Sequence, residues 1–247
     1  MEKEPFCKKI EVFQVLIVGL LFSLSVIIST SLVTSTLSRS GLDVTGSAVA
    51  VVKSDSASWN LDITTSASST KKAFSELVLN KNEVVTYLKL KGFTEKDIAF
   101  QNTNTYPVYK TAVDTGEALS SVDHYVASQT ITVTSNNIAL IKDVSLDVEN
   151  LLNKGIDLKS NPPAYFYTKL ADLKVKLLNE ASEDAKKRAN AMLKNTGSRV
   201  GTIKSIKAGV FQITPPNSTD VSDYGYYDTS TIDKKVTAVT QVTFRIK

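Results

Sequence analysis

"ASEDAKKRANAMLKNTGSRVGTIKSI", residues 181–206, reads as a long helix that runs into a strand. Ala181, Ala185 and Ala189 recur every four residues, Asp184 and Arg188 sit one turn apart, and Gly197 closes the segment. Side chains four apart share one helix face, so the alanines form a smooth ridge and the two charges are neighbours. Small side chains let another element approach the helix axis closely, and alanine costs no helix propensity. The ridge is expected to build a close contact, either on the chain's own sheet or along a seam between copies. Asp184 and Arg188 read either as a solvated surface pair or as a link orienting the helix against a neighbouring element or subunit.

Working outward, strands alternate with helices. In "ASWNLDI", residues 57–63, apolar residues occupy every second position, and "LDVTGSAVAVV" before it reads as a neighbouring strand. "KKAFSELVLNKNEVVTYLKLKG" switches to helical spacing, with Phe74, Leu77, Val78, Val84, Val85 and Leu88 on one face and Gly92 as the stop. A strand pair follows over residues 97–109 and 124–135, with a polar loop at Asp114 to Gly116. Then come a helix over 137–153, a strand over 156–167, and the long helix over 168–196. Strands over 200–213 and 236–246 end the chain; in the last, Val236, Ala238, Val242, Phe244 and Ile246 alternate. Adjacent strand pairs with helices between them predict an α+β fold: a mostly antiparallel sheet with about three helices.

The N-terminus carries a separate signal. No Asp, Glu, Lys or Arg occurs over the 27 residues from Val12 to Ser38. A helix over residues 12–34 has the length to cross about 30 Å of hydrocarbon. Lys3, Lys8 and Lys9 precede the span and Arg39 follows it, so the positive-inside bias places residues 1–11 in the cytoplasm. Residues 35–41 then read as a tether and 42–247 as one exported domain. A cleaved signal peptide is the rival reading, although its apolar region is ordinarily only about 7–15 residues long. Cys7 is the only cysteine and lies on the cytoplasmic side, which leaves the exported part without disulfides or a thiol nucleophile.

Composition narrows the chemistry. Among 247 residues, 29 Lys and Arg face 25 Asp and Glu, scattered without the basic stripe of a nucleic-acid binder. His124 is the only histidine, beside Tyr125 at the expected start of a strand. No multi-histidine metal set, nucleophile elbow or phosphate-cradling glycine loop is present, so no catalytic, cofactor or metal residue is assigned. The chain reads as a non-enzyme. "PPNSTDVSDYGYYDTSTIDKK", residues 215–235, reads as a long loop that offers Tyr224, Tyr226 and Tyr227 as partner contacts.

Several segments together resemble the SIMPL-domain family, the YggE-like exported bacterial proteins. Ala181, Asp184, Ala185, Arg188 and Ala189, followed by Gly197, Val200, Gly201 and Ile203, are similar to its most recognisable stretch. Gly92, Asp97, Ile98, Pro107 and Tyr109, then "YVASQTITV", resemble two further segments in the same order. The resemblance implies an exported α+β domain without known enzymatic activity, linked to envelope stress and able to form ring-like homo-oligomers. The partners it implies are further copies of the chain and the lipid bilayer. A monomeric module that holds a cell-wall or protein ligand through the tyrosine loop is the alternative.

Overall fold

The computed structural model describes residues 17–29, 41–112, 116 and 118–247. Eleven strands and four helices follow in the order α1 (residues 17–29), β1 (Gly41–Lys53), β2 (Ser56–Ala67), α2 (Thr70–Leu90), β3 (Ile98–Phe100) and β4 (Asn104–Thr111). The chain continues through β5 (Ala118–Ser135), α3 (Ile138–Asp147), β6 (Leu158–Ser160), β7 (Ala164–Phe166) and α4 (Leu170–Leu193). It ends with β8 (Val200–Ala208), β9 (Gln212–Thr214), β10 (Tyr226–Tyr227) and β11 (Asp233–Ile246). The fold is α+β and rich in antiparallel pairs, as the alternation predicts. It holds two sheets where one was expected. One runs β1-β11-β9-β10 with β8 also on β11; the other runs β3-β5-β2-β6 with β4 on β5 and β7 on β2. β9 and β10 run parallel. β11 with β8 and β9, β2 with β5, β6 and β7, and β5 with β3 and β4 are antiparallel.

Two compact units divide the described residues. The first holds the described residues up to Ala48, Leu178–Gly209 and Val239–Lys247; the second holds those within Val49–Leu177 and Val210–Ala238. In the second unit, β2 and β5 pair without a break from Ala57↔Ser135 to Ala67↔Tyr125. That long register points Trp59, Leu61, Ile63, Ile131 and Val133 to one face, where α2 and α3 cover them with Leu77, Val84, Leu88, Ile141 and Val144. The Trp59 indole N–H donates to Ser160 Oγ at 3.1 Å, so the largest core side chain is buried without an orphaned donor. α2 starts where Ser69 accepts from the Lys72 N–H, and Gly92 at φ 106° follows its end.

The core face of α2 differs from the expected one. Ala73, Leu77, Val84 and Leu88 are buried while Phe74 is 46% exposed. Spacings of four and seven place these four residues on one stripe, and the small Ala73 holds the first turn close enough to β2 for its carbonyl to accept from Thr65 Oγ1 at 2.7 Å. Other expected elements are split by backbone chemistry. The 156–167 strand breaks into β6 and β7 around Pro162 and Pro163, which have no N–H for a ladder. The 200–213 strand breaks at Gly209, and the helix over 137–153 becomes α3 plus a 3₁₀ turn over Val148–Lys154. His124 lies within β5 rather than at its start, with Nδ1 2.9 Å from Asp123 Oδ2.

In α1, Val18, Leu20, Leu21, Phe22 and Leu24 are exposed, and Ser23 and Ser25 donate their hydroxyls to Leu20 O and Phe22 O. No helix among the described residues is long and apolar enough to cross a membrane. The rest of the expected 12–34 span, the 1–11 tail and most of the 35–41 tether lie outside the described residues.

Candidate assembly and contact sites

The alanine ridge lies inside the first unit. Ala181, Ala185 and Ala189 are all fully buried, and Ala185 and Ala189 pack with Val44, Val242 and Phe244. Gly46 of β1 lies directly against this ridge. A β-carbon added there would fall 2.1 Å from Ala181 O, 2.4 Å from Ala185 N and 2.8 Å from Ala185 Cβ. Alanine on the helix and glycine on the strand together allow backbone-to-backbone approach. The face is therefore spent within the fold, and the three alanines cannot also form a seam between copies. That corrects the intersubunit option. Ala185→Glu is expected to unfold this unit instead of splitting an assembly, because it would bury an unpaired charge. Circular dichroism and size-exclusion chromatography of the variant separate the two outcomes.

The charged pair of the same helix has a defined job. Asp184 Oδ2 accepts from the Ser47 N–H at 2.8 Å and from Arg188 Nε at 2.7 Å. Arg188 Nη2 also reaches Ser47 Oγ at 3.4 Å. The Ser47 N–H holds the Asp184 carboxyl below the usual carboxylate range; partial burial opposes this and Arg188 reinforces it. Asp184 and Arg188 thus form a clasp from α4 onto β1, the linking reading of this pair applied to a neighbouring element. The spacing of the pair was legible, but its strand partner 137 residues away was not.

The tyrosine loop is partly ordered strand. Tyr226 and Tyr227 form β10, alongside Gln212 and Ile213 of β9. The Gln212 side chain substitutes for a further ladder rung: Nε2 donates to Ser222 O at 2.6 Å, and Oε1 accepts from the Ser222 N–H at 3.3 Å. Lys235 Nζ donates to Ser218 O, and the Gly225 N–H to Ser222 O at 3.0 Å. On this frame Tyr224 is 97% exposed, while Tyr226 and Tyr227 are 42% and 46% exposed.

The C-terminal part of the same loop holds a buried ionic cluster that no motif announced. Lys234 is 1% exposed; its Nζ donates to Asp228 O at 2.6 Å and Thr231 O at 2.8 Å, and lies 3.4 Å from Asp228 Oδ2. Asp228 also accepts from the Ser230 N–H and Oγ and from the Thr231 N–H and Oγ1. Burial pushes the Asp228 carboxyl up, but the Thr231 and Ser230 donors and the Lys234 charge outweigh it and leave the group well below the usual range. Burial lowers the Lys234 ammonium, partly offset by Asp228.

A shallow polar groove of about 330 Å³ lies on the first unit, lined by Asp43, Thr45, Ser205, Lys207, Gln241 and Thr243. Its hydroxyls bond each other in a chain: Ser205 Oγ to Thr243 Oγ1 at 2.9 Å, and Thr243 Oγ1 to Asp43 Oδ1 at 2.5 Å. No nitrogen base adjoins Ser205 in that chain to activate it. Among the described residues, no group of His, Cys, Asp and Glu is placed to hold a metal ion.

No curated protein matches the chain. The family model for SIMPL, described as a protein of unknown function (DUF541), matches residues 42–244, which takes in the clasp helix, the tyrosine loop and all but the ends of β1 and β11. The chain belongs to the SIMPL family.

Proposed function

We propose that this SIMPL protein is a single-pass, membrane-anchored scaffold without a catalytic step of its own. Its N-terminus is cytoplasmic, its SIMPL domain faces the cell envelope, and its copies associate into a ring-like homo-oligomer tied to envelope stress. The observation that carries the reading is the charge-free span from Val12 to Ser38 together with the exposed apolar side chains of α1. Lipid is a favourable surrounding for those side chains, and the internal bonds of Ser23 and Ser25 suit a medium without water. Described α1 covers 13 residues, about 20 Å at the helical rise. Confinement to a plane raises effective concentration, so modest contacts suffice for assembly. With the alanine ridge internal, those contacts involve other surfaces.

Protease added outside intact cells is expected to digest the SIMPL domain and leave a short membrane-bound fragment. A soluble mature protein with its new N-terminus after residue 30 would show a signal peptide instead. Light scattering on the detergent-solubilised chain is expected to give a multiple of the 26.9 kDa chain mass. A monomer at high concentration would reject the scaffold.

The second reading, a monomeric module for a cell-wall or protein ligand, is favoured by Tyr224 standing fully out from a pinned loop. Under it, Tyr224→Ala would abolish retention on isolated envelope fractions without changing the chain's mass in solution.

A further inference from the structure

β1 ends its sheet, with β11 on one side and no strand on the other among the described residues. The Ser47 N–H bonds the Asp184 carboxylate and no strand, so it points out along that free edge. In a regular strand, alternate residues turn their N–H and C=O the same way, which places Thr45, Val49 and Val51 on the open side with Ser47. From Val44 to Val52 the strand has no charged residue and no proline, and Val49 and Val51 are 55% and 67% exposed. An uncharged, β-branched edge of this kind is a template for another strand.

The other edges carry blunting devices within themselves. β4 contains Pro107; β8 has an irregular register at Lys204 and a second lysine at Lys207; β3, β6, β7 and β10 are two or three residues long. For β1 the device comes from elsewhere. An added strand would run about 4.8 Å away in the plane of the sheet, and beside Ser47 that space holds the Asp184 carboxylate and the Arg188 guanidinium.

We propose that β1 is a self-complementary edge, able to pair with β1 of a second copy, and that the Asp184–Arg188 clasp keeps it closed. The flanking charges choose the occupant and the register. Antiparallel pairing about Ala48 sets Asp43 of each copy opposite Lys53 of the other, Thr45 opposite Val51 and Ser47 opposite Val49. All these partners have outward-turned backbone groups, so hydrogen-bonded pairs meet hydrogen-bonded pairs. Opposite charges close both ends of an uncharged run. The contact is two-fold and isologous, and does not depend on the scaffold reading, whose assembly can use other surfaces.

In this register Ala48 faces its own copy as a non-hydrogen-bonded pair, with α-carbons about 4.5 Å apart, within disulfide range. The test uses the full detergent-solubilised chain with Cys7→Ser and Ala48→Cys. Adding Asp184→Ala is expected to raise the rate of disulfide dimer formation at least tenfold. Asp184→Asn, whose side-chain oxygen still accepts from Ser47, is expected to stay near the parent rate. Ala50→Cys, which would face Gly46, is expected to remain reduced in either background. Arg188→Ala serves as a second opening variant should Asp184→Ala lose its fold by circular dichroism. Equal cross-linking with and without the clasp, or cross-linking at residue 50 as readily as at 48, overturns the proposal. So does loss of fold in both opening variants, which would assign the clasp to stability alone. An oligomeric chain that never cross-links at residue 48 removes this edge while leaving the scaffold standing.

Discussion

Gly46→Ala is expected to destabilise the first unit by about 3 kcal/mol, at the upper end of what overpacking a close contact costs. The new methyl would meet Ala181 O, Ala185 N and Ala185 Cβ at 2.1, 2.4 and 2.8 Å. None of these is the tip of a flexible side chain. Two are helix backbone atoms and the third is a β-carbon fixed to one, so relief requires moving α4 off β1. That movement would also lengthen the Ser47–Asp184 bond, which couples the packing contact to the edge it guards. For a chain of this size the cost corresponds to a fall of about 6–12 °C in Tm. Thermal denaturation followed by circular dichroism measures it. A shift under about 1 °C would mean that helix and strand do not approach as closely as the ridge requires. Amide exchange at Ser47 should accelerate in parallel, since its protection rests on the same approach.

This contact shows how far the residues alone reach. The four-residue alanine spacing announced a close approach and left its partner open, because a helix periodicity describes one side of an interface. Gly46 supplies the other side, yet inside "LDVTGSAVAVV" a glycine reads as a weak point in a strand, and nothing local ties it to residue 181. The same limit explains the second sheet. Alternation in "ASWNLDI" and in residues 236–246 assigns faces, whereas strand partners are set by tertiary contacts with no local signature. Helical spacing puts Phe74 on the expected face with Leu77 and Leu88, but the stripe that α2 buries starts from Ala73. Breaks at Pro162, Pro163 and Gly209 have chemical causes visible in the residues themselves. Of the candidate sites, the Asp184–Arg188 pair was visible as a pair and its clasping role was not. The tyrosines were visible as a cluster, while the Gln212 bracket that orders them was hidden in an unremarkable strand residue.

Lys234→Ala is expected to cost about 3–5 kcal/mol, the loss typical of a buried ion pair with one partner removed. Residue parity is the sequence signal that reaches this lysine, although no motif marks it. Val236, Ala238, Val242 and Phe244 are the inward positions of β11, and extending the alternation backwards reaches Lys234. Hydrophobic reading stops at a lysine, but the structure buries it to 1% exposure because three oxygens receive its ammonium. Alanine would leave the Asp228 carboxylate, 4% exposed as a residue, with hydroxyl and amide donors and no counter-charge. The double variant Asp228→Asn with Lys234→Met removes both charges, and is expected to recover most of the loss. Urea denaturation of the single and double variants decides this; additive losses would show that the two groups do not act as a pair. Acid gives an independent check with a defined sign. Asp228 is held well below its ordinary value in the folded chain, so its contribution is complete above the unfolded value of about 3.9 and is lost as the pH falls through the lowered one. Stability should therefore fall with pH below about 4 more steeply in the parent chain than in Asp228→Asn. Tyr226 and Tyr227 lie immediately before Asp228, so their fluorescence should change in the same acid window if the cluster sets the conformation of the segment that carries them.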